Sequence, residues 1–406
     1  MATATLRVPY NPQLVQDAKV EYLETEFGNY PRVIREFWTA KQRQMHSLHY
    51  AVSYRASFKP ELPSFFIEHF SKPGDIVFDP FSGRGTTMLQ ANLMGRVGIN
   101  NDINPLSERL AYPKTHPVTM DALENRLSKV DLKTGKKVKA DIALDMFYHP
   151  DTESELLKLK NYLSQNRDQV DRFIELVAVS RLHGHSKGFF SAYSFPQISI
   201  PPKRQIRINK TRKQNPEYRD VASLILKKAR AILKDGYIRD INQVARYNEY
   251  FSGDARDLNR MRDNTVDLVI TSPPFLDKAD YIQDNWLEHW FLDINPSEFQ
   301  ENLVQTPDLN YWKSFINQSF LELARLVKKN GFVAFEVGEV KHDRHLLNLE
   351  EILIEIIETE AALREAFRIE NIFVNSQYFT KLGECFGVSN NQKGTNTNRI
   401  LFLRRN

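Results

Sequence analysis

Gly74-Asp-Ile-Val-Phe-Asp-Pro-Phe-Ser-Gly-Arg-Gly-Thr-Thr87 is the stretch whose reading decides the fold. Ile76 to Phe78 read as a short strand, Gly83 and Gly85 as a tight turn, and Thr86 onward as a helix start that continues through Met88 to Met94. Glycines permit backbone angles and a close ligand approach that a side chain would block. Thr86 and Thr87 stand where they can cap the helix, whose N-terminal N–H groups favour a carboxylate or polar ligand. No Gly-Lys-Ser/Thr follows, so this is not a Walker A loop. The next strand, Val97 to Asn100, ends at Asn101-Asp102-Ile-Asn-Pro105. An acidic residue after the second strand of a nucleotide-binding unit commonly accepts hydrogen bonds from ribose hydroxyls. Taken alone, Asp102 fits that role and the capping of the next turn equally; behind the glycine turn, the ribose role is expected.

Further along, Val266-Asp-Leu-Val-Ile-Thr-Ser-Pro-Pro-Phe275 carries a second buried strand, stopped abruptly by Ser272-Pro273-Pro274. Neither proline has an N–H and each fixes φ, so the backbone is stiff and its carbonyls are free to point outward. A hydroxyl, rigid carbonyls and the Phe275 ring then sit together at the carboxyl end of a strand, where open α/β sheets bind ligands.

These stretches together resemble the amino-group DNA methyltransferases. Ser272-Pro273-Pro274-Phe275 resembles their motif IV, (Asp/Asn/Ser)-Pro-Pro-(Tyr/Phe), in the serine form usual for cytosine-N4 enzymes. Asp79-Pro-Phe81-x-Gly83-x-Gly85-Thr86-Thr87 resembles motif I, the S-adenosylmethionine loop, with Arg84 where a small residue is common. That departure places a charge near the cofactor or the substrate phosphates. Lys59-Pro60, ahead of an apolar helix from Phe65 to Phe70, resembles motif X, which closes over the methionine end of the cofactor. Gly253-Asp254-Ala255 resembles motif III, where the aspartate accepts from the adenine amino group and its neighbour donates through the backbone. Only a short turn separates it from the Ser-Pro-Pro strand, as two adjacent βα units would require. The resemblance implies a class I, Rossmann-like α/β fold: a mostly parallel seven-stranded sheet with an antiparallel last strand, from Thr397 to Leu403.

The implied catalytic domain covers residues 46–111 and 247–406, behind a helical lead-in over 1–45 in which Val33, Ile34, Phe37 and Trp38 share a helix face. A largely helical insertion, residues 112–246, separates its halves, with Glu153–Leu163 and Val170–Leu182 as its clearest helices. Within it, Arg181-Leu-His-Gly-His-Ser-Lys-Gly-Phe-Phe-Ser191 resembles a core found in an insertion of bacterial Ser-Pro-Pro-Phe methyltransferases. His183 and His185 have no further ligands in a metal-binding pattern. Lys203, Arg204, Arg207, Lys210, Arg212 and Lys213 then crowd together. Charge runs are usually solvated surface, but density and context favour phosphate contact here. The DNA-binding candidates are His185, Lys187, Arg204, Lys210, Arg212 and Lys213. In the catalytic half, helices are expected over Tyr281–Leu292, Tyr311–Lys328 and Leu347–Phe367, strands over Phe332–Val337 and Ile369–Tyr378, and a Gly/Asn-rich loop over Lys381–Thr395. Asp280 and Tyr281 should line the pocket mouth.

Bulk composition sets limits. The 406 residues have room for two domains or one with an insertion, and 41% of them are hydrophobic, with a mean hydropathy of −0.48. A net charge of +4 is only mildly basic, so a nucleic-acid surface must come from local clustering. The N-terminus lacks a signal-peptide core and no segment is long enough to span a membrane, which implies a cytoplasmic, nucleoid-associated protein. The one cysteine, Cys385, excludes an internal disulfide and a Cys-rich zinc site. Glu384-Cys385-Phe386 is also not the Pro-Cys setting of C5-cytosine methylation. The resemblance therefore implies a site-specific methyltransferase that uses S-adenosylmethionine, with no metal. Its target is cytosine N4 in double-stranded DNA, with a cognate restriction endonuclease as a further partner. The alternatives are an adenine-N6 DNA or RNA amino methyltransferase, and a catalytically silent nucleic-acid-binding protein on the same scaffold.

Overall fold

The computed structural model describes residues 18–38, 44–274, 279–342, 345–376 and 397–406. Phe275, the loop Lys381–Thr395 with Cys385, and residues 1–17 of the lead-in lie outside the described residues. The strands are β1 (Lys19–Thr25), β2 (Gly28–Arg35), β3 (Ile76–Asp79), β4 (Val97–Asp102), β5 (Glu249–Ser252), β6 (Val266–Thr271), β7 (Val327–Val337), β8 (Glu339–His342), β9 (His345–Asn348), β10 (Phe367–Ser376) and β11 (Thr397–Arg405). Nine of them form one sheet in the order β1-β2-β10-β11-β7-β6-β3-β4-β5, and β8 pairs with β9 apart from it. From β10 to β5 the sheet is parallel except for β11, which runs antiparallel to both neighbours. That is the expected class I, Rossmann-like arrangement.

The first two strands are a correction. Val33 and Ile34 lie in β2 rather than on a helix, with Val33 paired to Phe373 and Ile34 to Val374 of β10. Adjacent β-branched residues lose rotamer freedom in a helix and suit a pleated surface. The hairpin turn is set by Gly28 at φ 140, while the Thr25 hydroxyl accepts from the Phe27 N–H.

The helices are α1 (Glu61–Phe70), α2 (Thr86–Leu93), α3 (Leu106–Thr115), α4 (Met120–Leu127), α5 (Pro150–Gln165), α6 (Gln169–Val179), α7 (Pro202–Arg212), α8 (Val221–Ile232), α9 (Ile238–Ala245), α10 (Trp286–Leu292), α11 (Leu309–Leu326), α12 (Leu349–Thr359) and α13 (Ala361–Ala366). Alternation along β6 sorts the core. Leu268 and Ile270 face α1 with Phe66 and Phe70, and Val269 faces α11 and α12 with Phe320 and Leu353. Helices α4, α5, α6, α8 and α9 bury their apolar stripes in a third cluster, shared with Leu89 of α2, Leu110 of α3 and Phe291 of α10.

Several expected elements differ in extent. The helix expected over Leu347–Phe367 opens with β9 and breaks at Glu360, whose φ −84 and ψ 112 are extended, next to a Thr359 hydroxyl that bonds back to the Glu355 carbonyl. Tyr281 precedes α10, because the Asp280 carboxylate accepts from the Ile282 and Gln283 N–H groups and shapes a turn. Helix α11 ends at Leu326, and β7 begins five residues before Phe332. The units around Asp254 and Ser272 are not neighbours in the sheet: β5 is its edge, and β4 and β3 lie between it and β6.

Candidate active-site cleft

The carboxyl ends of β3, β4 and β6 open into a cleft of about 790 Å³, solvent mouth included. Phe81, Gly83 and Thr86 of the glycine turn line it, together with Asp102, Asp254, Ala255, Ser272, Pro273 and Pro274. Stretches far apart in the chain therefore converge on one cavity. Lys59 and Pro60 are not in the lining; the preceding segment, Tyr54 to Phe58, takes that position. Sequence reasoning missed this segment, and also Asn302 to Val304 and Phe315 on the opposite wall. No local motif marks them.

Asp79, Gly85 and Thr87 lie behind the wall and hold the turn in shape. The buried Asp79 carboxylate accepts from Thr271 Oγ1 at 2.6 Å, Thr87 Oγ1 at 2.8 Å and the Phe81 N–H at 3.1 Å. Burial pushes its pKa up to about 7 against the pull of those donors. Thr87 is thus spent on Asp79, and Thr86 accepts from Arg84 Nε, so neither threonine caps α2, whose N-cap is Gly85. Gly85 is required sterically: φ is 71, and a Cβ there would stand 2.5 Å from Ala111 Cβ of α3. Gly83, at φ 50, faces the Tyr54 ring, 3.3 Å from where a Cβ would be.

Arg84 does not offer its charge to the cleft, contrary to expectation. Its guanidinium donates to the Val52 carbonyl at 3.3 Å and the Phe58 carbonyl at 3.4 Å, which fastens the Tyr54–Phe58 segment to the glycine turn. The buried Lys114 Nζ donates in turn to the Arg84 carbonyl. Asp102 does cap its turn, since its carboxylate accepts from the Gly83 N–H at 2.8 Å and the Asn104 N–H at 2.9 Å. It also lines the cleft, and burial raises its pKa to about 6. Asp254 lines the cleft while paired with Arg256.

Trp312, 1% exposed, explains how Ser-Pro-Pro is held. Its indole N–H donates to the Pro274 carbonyl at 2.8 Å. The Ser272 hydroxyl and the Pro273 carbonyl have no partner among the described residues. Tyr281 lines the mouth as expected and stacks on Tyr54, with centroids 6.3 Å apart and planes at 22°. Asp280 is not in the lining; Asp284 nearby bonds Arg55 at 2.8 Å instead.

The His-Gly-His loop of the insertion meets the catalytic half. Buried His183 pairs with Glu288 of α10 at 2.7 Å, and the Ser199 hydroxyl donates to the same carboxylate. Among the described residues, no cluster of three or more His, Cys, Asp or Glu side chains is arranged to hold a metal. His185 lies beside the Phe189 ring, and Lys187 is exposed. Arg204, Lys210, Arg212 and Lys213 are all exposed on or just after α7, and Arg212 stands 3.8 Å over the Tyr193 ring. Among the described residues, no helix is long and apolar enough to cross a membrane.

Residues 7–112 match a family model described as DNA methylase. The type II methyltransferase M.BsoBI of Geobacillus stearothermophilus is 26% identical over 345 residues, 76% of this chain and 66% of that protein. The type II methyltransferase M.MjaII of Methanocaldococcus jannaschii is 31% identical over 102 residues, 25% of this chain and 16% of that protein. The solved TrmN of Thermus thermophilus aligns over 88% of this chain and 52% of its own at 13% identity and a TM-score of 0.32, too loose an overlay to carry an argument. The chain is thus similar to the amino-group DNA methyltransferases, and the family match falls on the part that holds Gly83, Gly85 and Asp102.

Proposed function

We propose that this chain is a site-specific DNA methyltransferase that transfers a methyl group from S-adenosylmethionine to cytosine N4 in duplex DNA. The observation that carries the reading is the cleft in which Gly83, Asp102, Asp254 and Ser272 meet. The cavity suits the donor. Gly83 leaves its wall without a side chain, Asp102 offers a carboxylate to ribose hydroxyls, and Asp254 with the Ala255 N–H offers an acceptor and a donor to an adenine edge. When bound, S-adenosylmethionine supplies an electrophilic methyl group on its sulfonium.

The chain's own residues prepare the nucleophile. An exocyclic amine conjugated to a base is a poor nucleophile because its lone pair is delocalised into the ring. Ser272 Oγ and the Pro273 carbonyl accept its two hydrogens and favour a pyramidal nitrogen with a localised lone pair, a stabilisation that acts as transfer begins. Trp312 keeps the carbonyls in place by holding that of Pro274. Phe275 stacks on the base, an interaction worth ~1–3 kcal/mol in nucleic-acid sites. The target amine is out of reach inside a duplex, so the base is flipped into the cleft, and positioning supplies much of the acceleration. A serine hydroxyl does not take up the released proton as a carboxylate would, so the proton leaves after transfer, to water or a neighbouring group. Similarity to type II methyltransferases supports a restriction-modification setting with a cognate endonuclease.

The test is to digest DNA modified by the protein to nucleosides and separate them by mass spectrometry. N4-methylcytosine is expected, and Ser272→Ala should lower turnover while leaving cofactor affinity intact. N6-methyladenine would refute the target base alone. Calorimetry showing no binding of S-adenosylmethionine would refute the enzyme.

A further inference from the structure

We infer that helix α7 lies in the DNA major groove and that Ile206 reads a base there, its side chain pressed on a thymine methyl group. The inference rests on the duplex-DNA reading above and deepens it.

Helix α7 is mounted rigidly from one side. Its buried Gln205 donates to the Tyr193 carbonyl at 3.0 Å, and Asn209 donates to the Met146 carbonyl at 2.7 Å. The other side presents Lys203, Arg204, Arg207 and Lys210, all exposed and without an acidic partner in salt-bridge range among the described residues. Ile206 is 52% exposed in the midst of them. It stands three residues after Lys203 and four before Lys210, which puts it on the same stripe of the helix. A lone exposed isoleucine on an ordinary surface needs no explanation. Here it is the apolar centre of a cationic stripe, the pattern of a surface that meets a polyanion and also touches something apolar.

The approach to α7 is fixed to the segment that follows Tyr281, a residue of the cleft lining. The Ser199 N–H donates to the Asp284 carbonyl at 2.8 Å, and Trp286 Nε1 donates to the Ile200 carbonyl at 3.1 Å. Ile206 follows Ile200 by roughly 10 Å of mostly helical chain. A helix with side chains is ~10–12 Å across and enters the ~12 Å major groove but not the ~6 Å minor one. The apolar group on major-groove base edges is the thymine C5 methyl. Lys203, Arg207 and Lys210 then face the flanking phosphates.

The experiment uses the full chain and duplexes carrying the mapped methylation site, each thymine replaced in turn by deoxyuridine, which lacks only the methyl group. One replacement should lower the wild-type kcat/KM about 3- to 10-fold. Ile206→Ala should lower kcat/KM on the natural site by a similar factor and be indifferent to that same replacement, with cofactor affinity and salt dependence unchanged. Wild-type activity insensitive to every replacement, equal sensitivity in wild type and variant, or a mapped site without thymine would each overturn the inference while the methyltransferase reading stands. Failure of the wild type to methylate any duplex would remove both.

Discussion

Replacing Gly85 by alanine should destabilise the fold by about 2–5 kcal/mol, and the two parts of that figure can be separated. The first is backbone conformation: at φ 71 and ψ 42, an L-residue with a Cβ loses about 1–2 kcal/mol relative to glycine. The second is overlap. The added Cβ would sit 2.5 Å from Ala111 Cβ and 3.1 Å from Ala111 Cα, so the α3 backbone itself must move, and overpacking of this kind typically costs about 1–3 kcal/mol. Gly135 provides the control, because its φ is 82 but a Cβ there meets nothing within 4 Å. Gly135→Ala should therefore show the backbone part alone. Urea unfolding of both variants, compared at constant m, measures the difference, and calorimetry with S-adenosylmethionine reports on the displaced turn. A Gly85→Ala variant no less stable than Gly135→Ala would refute the claim that α2 presses on α3 and that this contact demands glycine.

Asp102→Ala should weaken S-adenosylmethionine binding about 10- to 100-fold, as expected for loss of a charged acceptor, and unchanged affinity by calorimetry would refute its ribose role. Replacing Arg204, Lys210, Arg212 and Lys213 together by alanine should lower the slope of log affinity for duplex DNA against log salt by up to about 3.6, with Arg212, engaged by Tyr193, contributing least. Because burial raises the Asp79 pKa from the ordinary carboxylate range to about 7, the folded state keeps a proton that the unfolded chain has already released above pH ~4. Its contribution is complete at low pH and is lost as the pH rises toward 7, so Asp79→Asn should gain stability relative to wild type between pH 4 and 7. A pH-independent difference between the two unfolding curves would show that Asp79 is already ionised in the fold.

What is legible in the sequence is what is local. A strand, a glycine turn and a helix start follow from neighbouring residues, and so does a strand halted by Ser272-Pro273-Pro274; both end where ligand-binding ends should be. The N-terminal hairpin is not legible, because Val33 and Ile34 become a strand through pairing with β10, almost at the other end of the chain. Trp312 falls within an expected helix and is buried there, but nothing local reveals that its N–H meets a carbonyl of the Ser-Pro-Pro turn. Arg84 stands beside the glycines of a ligand loop, yet the Thr86 hydroxyl and the Val52 and Phe58 carbonyls take up its donors. Two of those acceptors come from a segment some thirty residues away, which only the fold brings close. Thr87 stands at a capping position, but its partner, Asp79, is set by the shape of the turn and not by helix position.

The segment from Tyr281 to Glu288 joins three parts that the sequence keeps apart. Tyr281 and Asp284 hold Tyr54 and Arg55 of the strap over the glycine turn. The Asp284 carbonyl and the Glu288 carboxylate hold Ser199 and His183 of the insertion. Burial pushes the Glu288 pKa up, but the His183 pairing and the Ser199 hydroxyl outweigh it and keep the carboxyl below its usual range. A buried carboxylate held this way resists separation, since removing one partner of a buried pair typically costs about 3–5 kcal/mol. The Ser-Pro-Pro turn lies just upstream of this segment, and α7 just downstream of Ser199. The approach to α7 and the Tyr54–Phe58 side of the cleft are therefore both tied to one short segment.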